Sequence, residues 1–471
     1  MKTIDTIYIN GAFVTPHGTS FFNLINPSTN TIIGQVRLGD EEDTRLAIAS
    51  AATAFHTFSR TTKEERMEYL QRLHDAVMSR IDQLTEATVL EYGAPVARAK
   101  DSNLMAAKSF LQMKQVLQEF EFERTIGISQ VRLEPLGVVG IITPWNANSS
   151  FICNKLATAI AAGCTAVIKP SEMSALQTQV LLEALHEAKI PAGIFNIVNG
   201  RGDVVGAELT ANPTIAKISF TGSTIVGKMI AKGAADTLKR VTLELGGKSP
   251  NILLDDADFT IAVPLALAAC FMNNGQACIA GSRLLIPETR LEEVKNLILK
   301  SITNFKVGNP SNNTTAIGPV ANSKQYDRVQ SYIQLGIDEG AKLLTGGIGQ
   351  PEELEQGNFV KPTVFYNVNN QMRIAREEIF GPVLSIITYQ TEQEAIEIAN
   401  DTQYGLQAYV SSSDIERAQR VASQIVAGRV LINCLNHDPL APFGGFKQSG
   451  IGREYGIYGL EEYVEPKTII M

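Results

Sequence analysis

The sequence predicts an α/β fold: a doubly wound parallel sheet followed by a second α/β unit. Three observations predict it. From Gly137 onward, short apolar runs alternate with helical patterns, the rhythm that builds parallel sheets covered on both faces. The alternation resumes after Arg283. The 37 glycines and single tryptophan suit tight turns and close helix–sheet contact, and 471 residues exceed one ordinary core, so two or three domains are expected.

In chain order, Ile7 to Val14 and Phe21 to Gln35 read as short strands joined by Gly and Asn-Pro turns. Ala47, Ala51, Ala54, Phe55 and Phe58 share one face of a helix. The next helix opens on a capping box, Thr62 with Glu65. It carries Leu70, Leu73, Val77, Ile81 and Leu84 on one stripe until Gly93 and Pro95 stop it. Glu119 to Leu133 is a hairpin expected to protrude, turning at Thr125-Ile126-Gly127. Val138 to Ile142, Ala166 to Ile168, Phe195 to Val198 and Ala216 to Phe220 are buried strands. They alternate with helices Asn154 to Ala162, Gln177 to Ala188 and one from Ser223 onward. Ligands of such sheets sit beyond the carboxyl ends of the strands.

Beyond the apolar helix Ile261 to Met272, strands are expected at Arg283 to Ile286, Phe359 to Phe365, Val383 to Thr388, Ala408 to Ser411 and Arg429 to Asn433. Helices Glu288 to Thr303, Gln325 to Glu339, Gln393 to Asp401 and Ile415 to Ile425 lie between them. Leu460 to Met471 is an extended tail whose edge needs cover, as from a second subunit.

A net charge of −8 with scattered Lys and Arg offers no basic face for nucleic acid or anionic lipid. The five cysteines are odd in number and lack CxxC spacing, and the five histidines are dispersed, so neither a disulfide framework nor a metal site is expected. Asp5 falls where a signal peptide needs apolar residues, and Ile261 to Met272 is too short to span a bilayer. A reducing cytoplasm is the expected compartment.

The chemistry centres on Gly275-Gln276-Ala277-Cys278. A free thiol is only a few per cent thiolate at neutral pH, so Cys278 is either an inert core residue or a nucleophile activated by partners elsewhere. Asn146, after Pro144-Trp145 at a strand's carboxyl end, has an amide able to donate to a developing oxyanion, although loop asparagines commonly serve turns. Glu244 is a carboxylate inside an apolar run; buried, it would have the raised pKa of a general base for water. Thr221-Gly222-Ser223 joins a strand to a helix, which suits either an N-cap or a pyrophosphate site. Glu172, in Lys169-Pro170-Ser171-Glu172, could accept the ribose hydroxyls of NAD and would repel the 2′-phosphate of NADP, or could simply sit in a solvated loop. Gly200-x-Gly202 has its third glycine, Gly206, one residue late for the dinucleotide fingerprint.

Together these runs, with Glu244-Leu245-Gly246-Gly247-Lys248, Glu377 to Val383 and Pro442 to Gly450, resemble the NAD(P)-dependent aldehyde dehydrogenase family over nearly the whole chain. The resemblance implies that Cys278 adds to an aldehyde, that Asn146 and the Cys278 N–H hold the oxyanion, and that Glu244 activates water to hydrolyse the thioester. It also implies that NAD, rather than NADP, is held by Trp145, Lys169, Glu172, Gly222, Ser223, Leu245, Glu378 and Phe380. Residues 1–115 and 136–246 would bind the cofactor and 247–443 would be catalytic. Residues 116–135 and 455–471 would form a small β domain bridging the subunits of a homodimer or homotetramer. A CoA-acylating relative is the alternative, disfavoured by Glu244, and a non-catalytic descendant is disfavoured by the intact Cys278. The family usually continues Pro-Trp-Asn with Phe-Pro, whereas Ala147-Asn148-Ser149-Ser150 stand here. With Asn436, His437 and Asp438 in the loop Cys434 to Ala441, this suggests an aldehyde entrance more polar or roomier than one for long alkyl chains.

Overall fold

The computed structural model describes residues 2–470. Its centre is an eight-stranded sheet. The order is Gly450–Ile451, Arg240–Glu244, Ile215–Thr221, Val138–Ile142, Thr165–Lys169, Phe195–Ile197, Ile7–Ile9 and Ala12–Val14. The five strands from Arg240–Glu244 to Phe195–Ile197 run parallel. Val138–Ile142 and Thr165–Lys169 are buried along their whole length, as strands covered on both faces by helices must be.

A seven-stranded sheet forms the second layer system, ordered Lys342–Thr345, Thr363–Tyr366, Val383–Tyr389, Arg283–Pro287, Pro250–Leu253, Gln407–Ser411 and Arg429–Ile432. All its pairings are parallel except that of Lys342–Thr345. A third sheet joins the hairpin Glu123–Ile126 and Ser129–Pro135 to the distant strand Val464–Ile470. The hairpin is largely exposed, as expected of a protruding element.

Several elements differ from the sequence reading. The stripe from Leu70 to Leu84 spans two helices, Lys63–Ser79 and Ile81–Tyr92, because Arg80 leaves helical geometry at φ −111° and ψ 12°. The Thr62–Glu65 capping box is present, and Gly93 ends the second helix in the left-handed region at φ 81°. The helix Val96–Glu119 has no counterpart in the sequence reading: among the described residues no side chain caps its start, and its first half buries only Ala99, Asn103, Ala106 and Ala107 before Phe110, Met113, Val116 and Leu117 follow. Strands Lys2–Ile4, Pro250–Leu253, Lys342–Thr345 and Gly450–Ile451 are likewise additional. The helix expected from Asn154 begins at Asn148. The tail is extended only over Val464–Ile470, since Gly456–Glu461 is helical.

Candidate active site

Parallel strands end on one side of the sheet, and the loops after Val138–Ile142, Ile215–Thr221 and Arg240–Glu244 meet there around a cavity of about 390 Å³. Trp145, Asn146, Gly222, Ser223, Leu245, Cys278, Glu378 and Phe380 all line it. Lys169 and Glu172 lie outside its lining and pair with each other at 3.3 Å, Lys169 also donating to the Pro170 carbonyl. Glu244 too is outside the lining, a buried carboxylate at the end of its strand.

Cys278 is partly exposed, unlike Cys153, Cys164 and Cys270, which are core thiols. Its turn is fixed on the N-terminal side by a buried network. Gln276 donates to the Tyr92 hydroxyl at 3.1 Å, and Tyr92 donates to the Asn273 carbonyl at 3.2 Å. The Gln276 amide oxygen accepts from Ala321 N–H at 2.9 Å. Asn273 and Asn274 both adopt left-handed geometry, which asparagine tolerates better than most residues. Asn274 donates to the Gly93 and Pro319 carbonyls and so locks the bend. On the other side, Gly247 packs on the turn so closely that a Cβ there would come within 2.2 Å of the Cys278 carbonyl oxygen.

The electrostatics oppose an ionised thiol. Burial, then Glu378, then Glu244 push Cys278 up to about 12. Burial holds Glu378 at about 7, against the pull of the Gly247 N–H donated to it at 3.1 Å. Glu244 is only 3 % exposed and neither of its oxygens has a hydrogen-bond partner among the described residues. Burial, with Glu454 adding to it, raises its pKa well above the ordinary carboxylate value. Glu454 is itself paired with the buried Lys155 and accepts from Asn154 at 3.1 Å. Glu244 is therefore a buried carboxylate, and burial makes it a stronger base than an ordinary carboxylate.

Ser223 caps the helix Thr224–Ala235, its hydroxyl accepting from Val226 N–H at 3.4 Å. Thr221 lines the same cavity, its hydroxyl buried and without a partner among the described residues. Gly227 allows the helix to approach Leu245, where a Cβ would come within 2.4 Å of the leucine side chain. Phe380 is held at φ 62°, a strained value for an aromatic residue, by Gln325 donating to its carbonyl at 2.7 Å and packing edge-on to Trp145.

The sequence reading missed Gln325, Arg328 and Tyr404 on the cavity wall, and Tyr455, which lies near both Glu244 and Cys278. None belongs to a run that marks itself by spacing. The polar run after Asn146 requires a correction. Asn148 is buried against Thr178 at 3.0 Å, and Phe151, one turn on, lines the cavity instead. In the loop expected to line the entrance, Asn436 and Asp438 are exposed, while His437 is half-buried and bonded to Arg429. Among the described residues no group of three His, Cys, Asp or Glu side chains is placed to hold a metal ion, and no helix is long and apolar enough to cross a membrane.

Fold and cavity together define an α/β protein built on two large, mainly parallel sheets, with a thiol at the carboxyl ends of one of them and a buried carboxylate close by. The chain belongs to the aldehyde dehydrogenase family, whose model matches residues 13–469, and is an oxidoreductase acting on aldehydes. It is 46% identical over 472 residues to a 3-succinoylsemialdehyde-pyridine dehydrogenase from a Pseudomonas species, covering 100% of this chain and 99% of that one. A crystal structure of aldehyde dehydrogenase C from Pseudomonas syringae, a cysteine-to-alanine mutant in complex with NAD+ and octanal, superposes with a TM-score of 0.98 at 45% identity, covering 99% of this chain and 96% of that one. Betaine aldehyde dehydrogenase from Staphylococcus aureus in complex with NAD+ gives a TM-score of 0.96 at 36% identity, covering 99% and 94%.

Proposed function

We propose that the chain oxidises an aldehyde to its carboxylic acid with NAD, using Cys278 as nucleophile, Asn146 as oxyanion donor and Glu244 as the base for hydrolysis. The observation that carries the reading is the Cys278 thiol in a cavity that also holds Asn146 and the loop Thr221-Gly222-Ser223. The residues fit a dinucleotide: Ser223, Thr224 and Ile225, at the start of a twelve-residue helix, line the cavity, suited to a pyrophosphate. Gly222, Ser223 and Leu245 would hold that end, Glu378, Phe380 and Trp145 the nicotinamide riboside, and Lys169 with Glu172 the adenosine ribose. NAD, when bound, supplies the hydride acceptor.

The chain's own residues do the rest. The Cys278 thiolate adds to the carbonyl carbon, because a hydride leaves a tetrahedral alkoxide far more readily than a planar aldehyde. The oxyanion accepts from the free N–H of Asn146 and from the Cys278 backbone N–H. Loss of the hydride leaves a thioester on Cys278. Glu244 takes a proton from water, the hydroxide adds to the thioester, and the thiolate departs as the acid is released. The isolated carboxylate supports hydrolysis over transfer to CoA. We assign cofactor binding to residues 1–115 and 136–246, catalysis to 247–443, and subunit bridging within a homodimer or homotetramer to 116–135 and 455–471. A cytoplasmic location belongs to the same reading.

The test is a panel of aldehydes, including octanal and hydroxylated or charged short-chain aldehydes, assayed with NAD and NADP and with and without CoA. Reduced cofactor and free acid in equal amounts, with NAD preferred, are expected. Acyl-CoA as the product, or no turnover with any aldehyde, would overturn the proposal.

A further inference from the structure

Three polar side chains behind the nucleophile's turn, Gln407 and Tyr409 buried and Arg429 half-buried, have no place in the chemistry above. Gln407 and Tyr409 stand two residues apart on one strand, so their side chains share a face. Arg429 lies opposite Gln407 on the neighbouring parallel strand. Arg429 donates through Nε at 2.8 Å and through Nη2 to the Gln407 amide oxygen. That fixes which way the amide faces, and its Nε2 donates to the Tyr409 hydroxyl. The hydroxyl hydrogen is thereby directed to the Ile279 carbonyl, which accepts at 2.8 Å. A guanidinium has five donors and no acceptor, so it sets the direction of every bond in the chain. Ile279 is the residue after Cys278.

We propose that Arg429 is a positioning residue for Cys278, fixing through Gln407 and Tyr409 the limb of the turn that follows the thiol. It complements the Tyr92–Gln276 network, which fixes the limb before it. The inference rests on the reading of Cys278 as nucleophile.

A second role comes with the charge. Among the described residues Arg429 pairs with no carboxylate; Nη1 donates to His437 Nδ1 at 2.7 Å and the guanidinium lies 5.0 Å from the Phe443 ring centre. Burial, with Arg429 adding to it, holds His437 at about 4, so the ring stays neutral and can accept. The groups facing Arg429 are Tyr409, Tyr455, Cys278 and Cys434, each of which would gain from it as an anion. Glu378 and Glu244 disfavour the Cys278 thiolate, whereas the half-buried Arg429 guanidinium, joined to the turn through Gln407 and Tyr409, is a positive charge that favours it.

The experiment is the rate of iodoacetamide alkylation of Cys278 at about pH 8, followed by peptide mass spectrometry, beside steady-state kinetics. Arg429→Met should slow alkylation about tenfold, as a rise of about one unit in the thiol's pKa requires, and lower kcat with little change in KM. Arg429→Lys should restore the alkylation rate and leave kcat low. Tyr409→Phe, which breaks the chain and keeps the charge, should lower kcat about tenfold with a smaller change in alkylation rate. A folded Arg429→Met with the parent's alkylation rate and kcat overturns the inference; if that variant fails to fold, Tyr409→Phe with unchanged kcat overturns it. Cys278→Ser separates the two readings. Turnover retained there removes the nucleophile itself, whereas turnover lost there with silent Arg429 and Tyr409 variants removes only the present inference.

Discussion

Asn146 gives one of its two amide N–H groups to the Gln276 carbonyl at 2.9 Å, two residues before Cys278. The bond ties the proposed oxyanion donor to the nucleophile's own turn, so the remaining N–H and the thiol move as one piece. Asn273 reinforces the tie by donating to the Asn146 carbonyl at 2.9 Å and to the same Gln276 oxygen at 3.1 Å.

Removing that tie should be costly to rate. Asn146→Ala should lower kcat/KM by about 10² to 10³, the usual loss for one oxyanion donor. Tyr92→Phe leaves the buried Gln276 amide without its acceptor and should destabilise the fold by about 1–3 kcal/mol. Steady-state kinetics checks the first and chemical denaturation the second.

Cys278→Ala and Glu244→Gln should fail at different steps. The first should abolish formation of reduced cofactor, by at least about a thousandfold, while NAD still binds by calorimetry. The second should give a single burst of reduced cofactor and stop at the thioester, seen as an acyl adduct on the Cys278 peptide. In the parent, deacylation should speed up as pH rises through the raised pKa of Glu244, because only the ionised carboxylate can take the proton.

Glu378 should make stability fall as pH rises. Its pKa is about 7 in the folded chain against the ordinary 4.5, so between those values the folded state holds the extra proton and the unfolded state does not. That difference makes the pH slope of stability negative. The penalty develops from about pH 4.5 to 7 and persists above it. Glu378→Gln should match the parent below this window and melt about one to two degrees higher above it, by calorimetry across the range.

Lys155→Met should unfold easily. It strands the Glu454 carboxylate, 7 % exposed, beside the equally buried Glu244. Breaking such a pair from one side costs about 3–5 kcal/mol. Glu454→Gln in the same background should recover part of the loss, measured as the midpoint of urea unfolding.

Glu172→Gln tests cofactor choice. The parent should prefer NAD, and neutralising Glu172 should raise the ratio of kcat/KM for NADP to that for NAD roughly tenfold. No change in the ratio would remove Glu172 from the ribose site.

The first sheet was legible because its strands are continuous apolar runs, and Val138–Ile142 carries its burial in five successive residues. The long helix Val96–Glu119 was not, because its first half buries only small or polar side chains and no cap announces its start, although Phe110, Met113, Val116 and Leu117 stand at helical spacing in its second half. The same division holds at the cavity. Cys278, Asn146 and Glu378 stand in runs with a recognisable resemblance, whereas Gln325, Arg328 and Tyr404 reach it only through tertiary packing. Asn148 shows the converse: its polarity suggested a cavity wall, yet an amide bonded to Thr178 can serve the interior just as well.

The strand Gly450–Ile451 closes the open edge of the first sheet by pairing with Leu243 and Glu244. One strand at Arg240–Glu244 and another about two hundred residues further along thus complete one another, and the ribosome must make that intervening chain before the Glu244 edge is sealed. Until then the nascent chain exposes an unpaired β edge to its neighbours, so truncation near the C-terminus should yield insoluble material rather than a shorter, partly active protein.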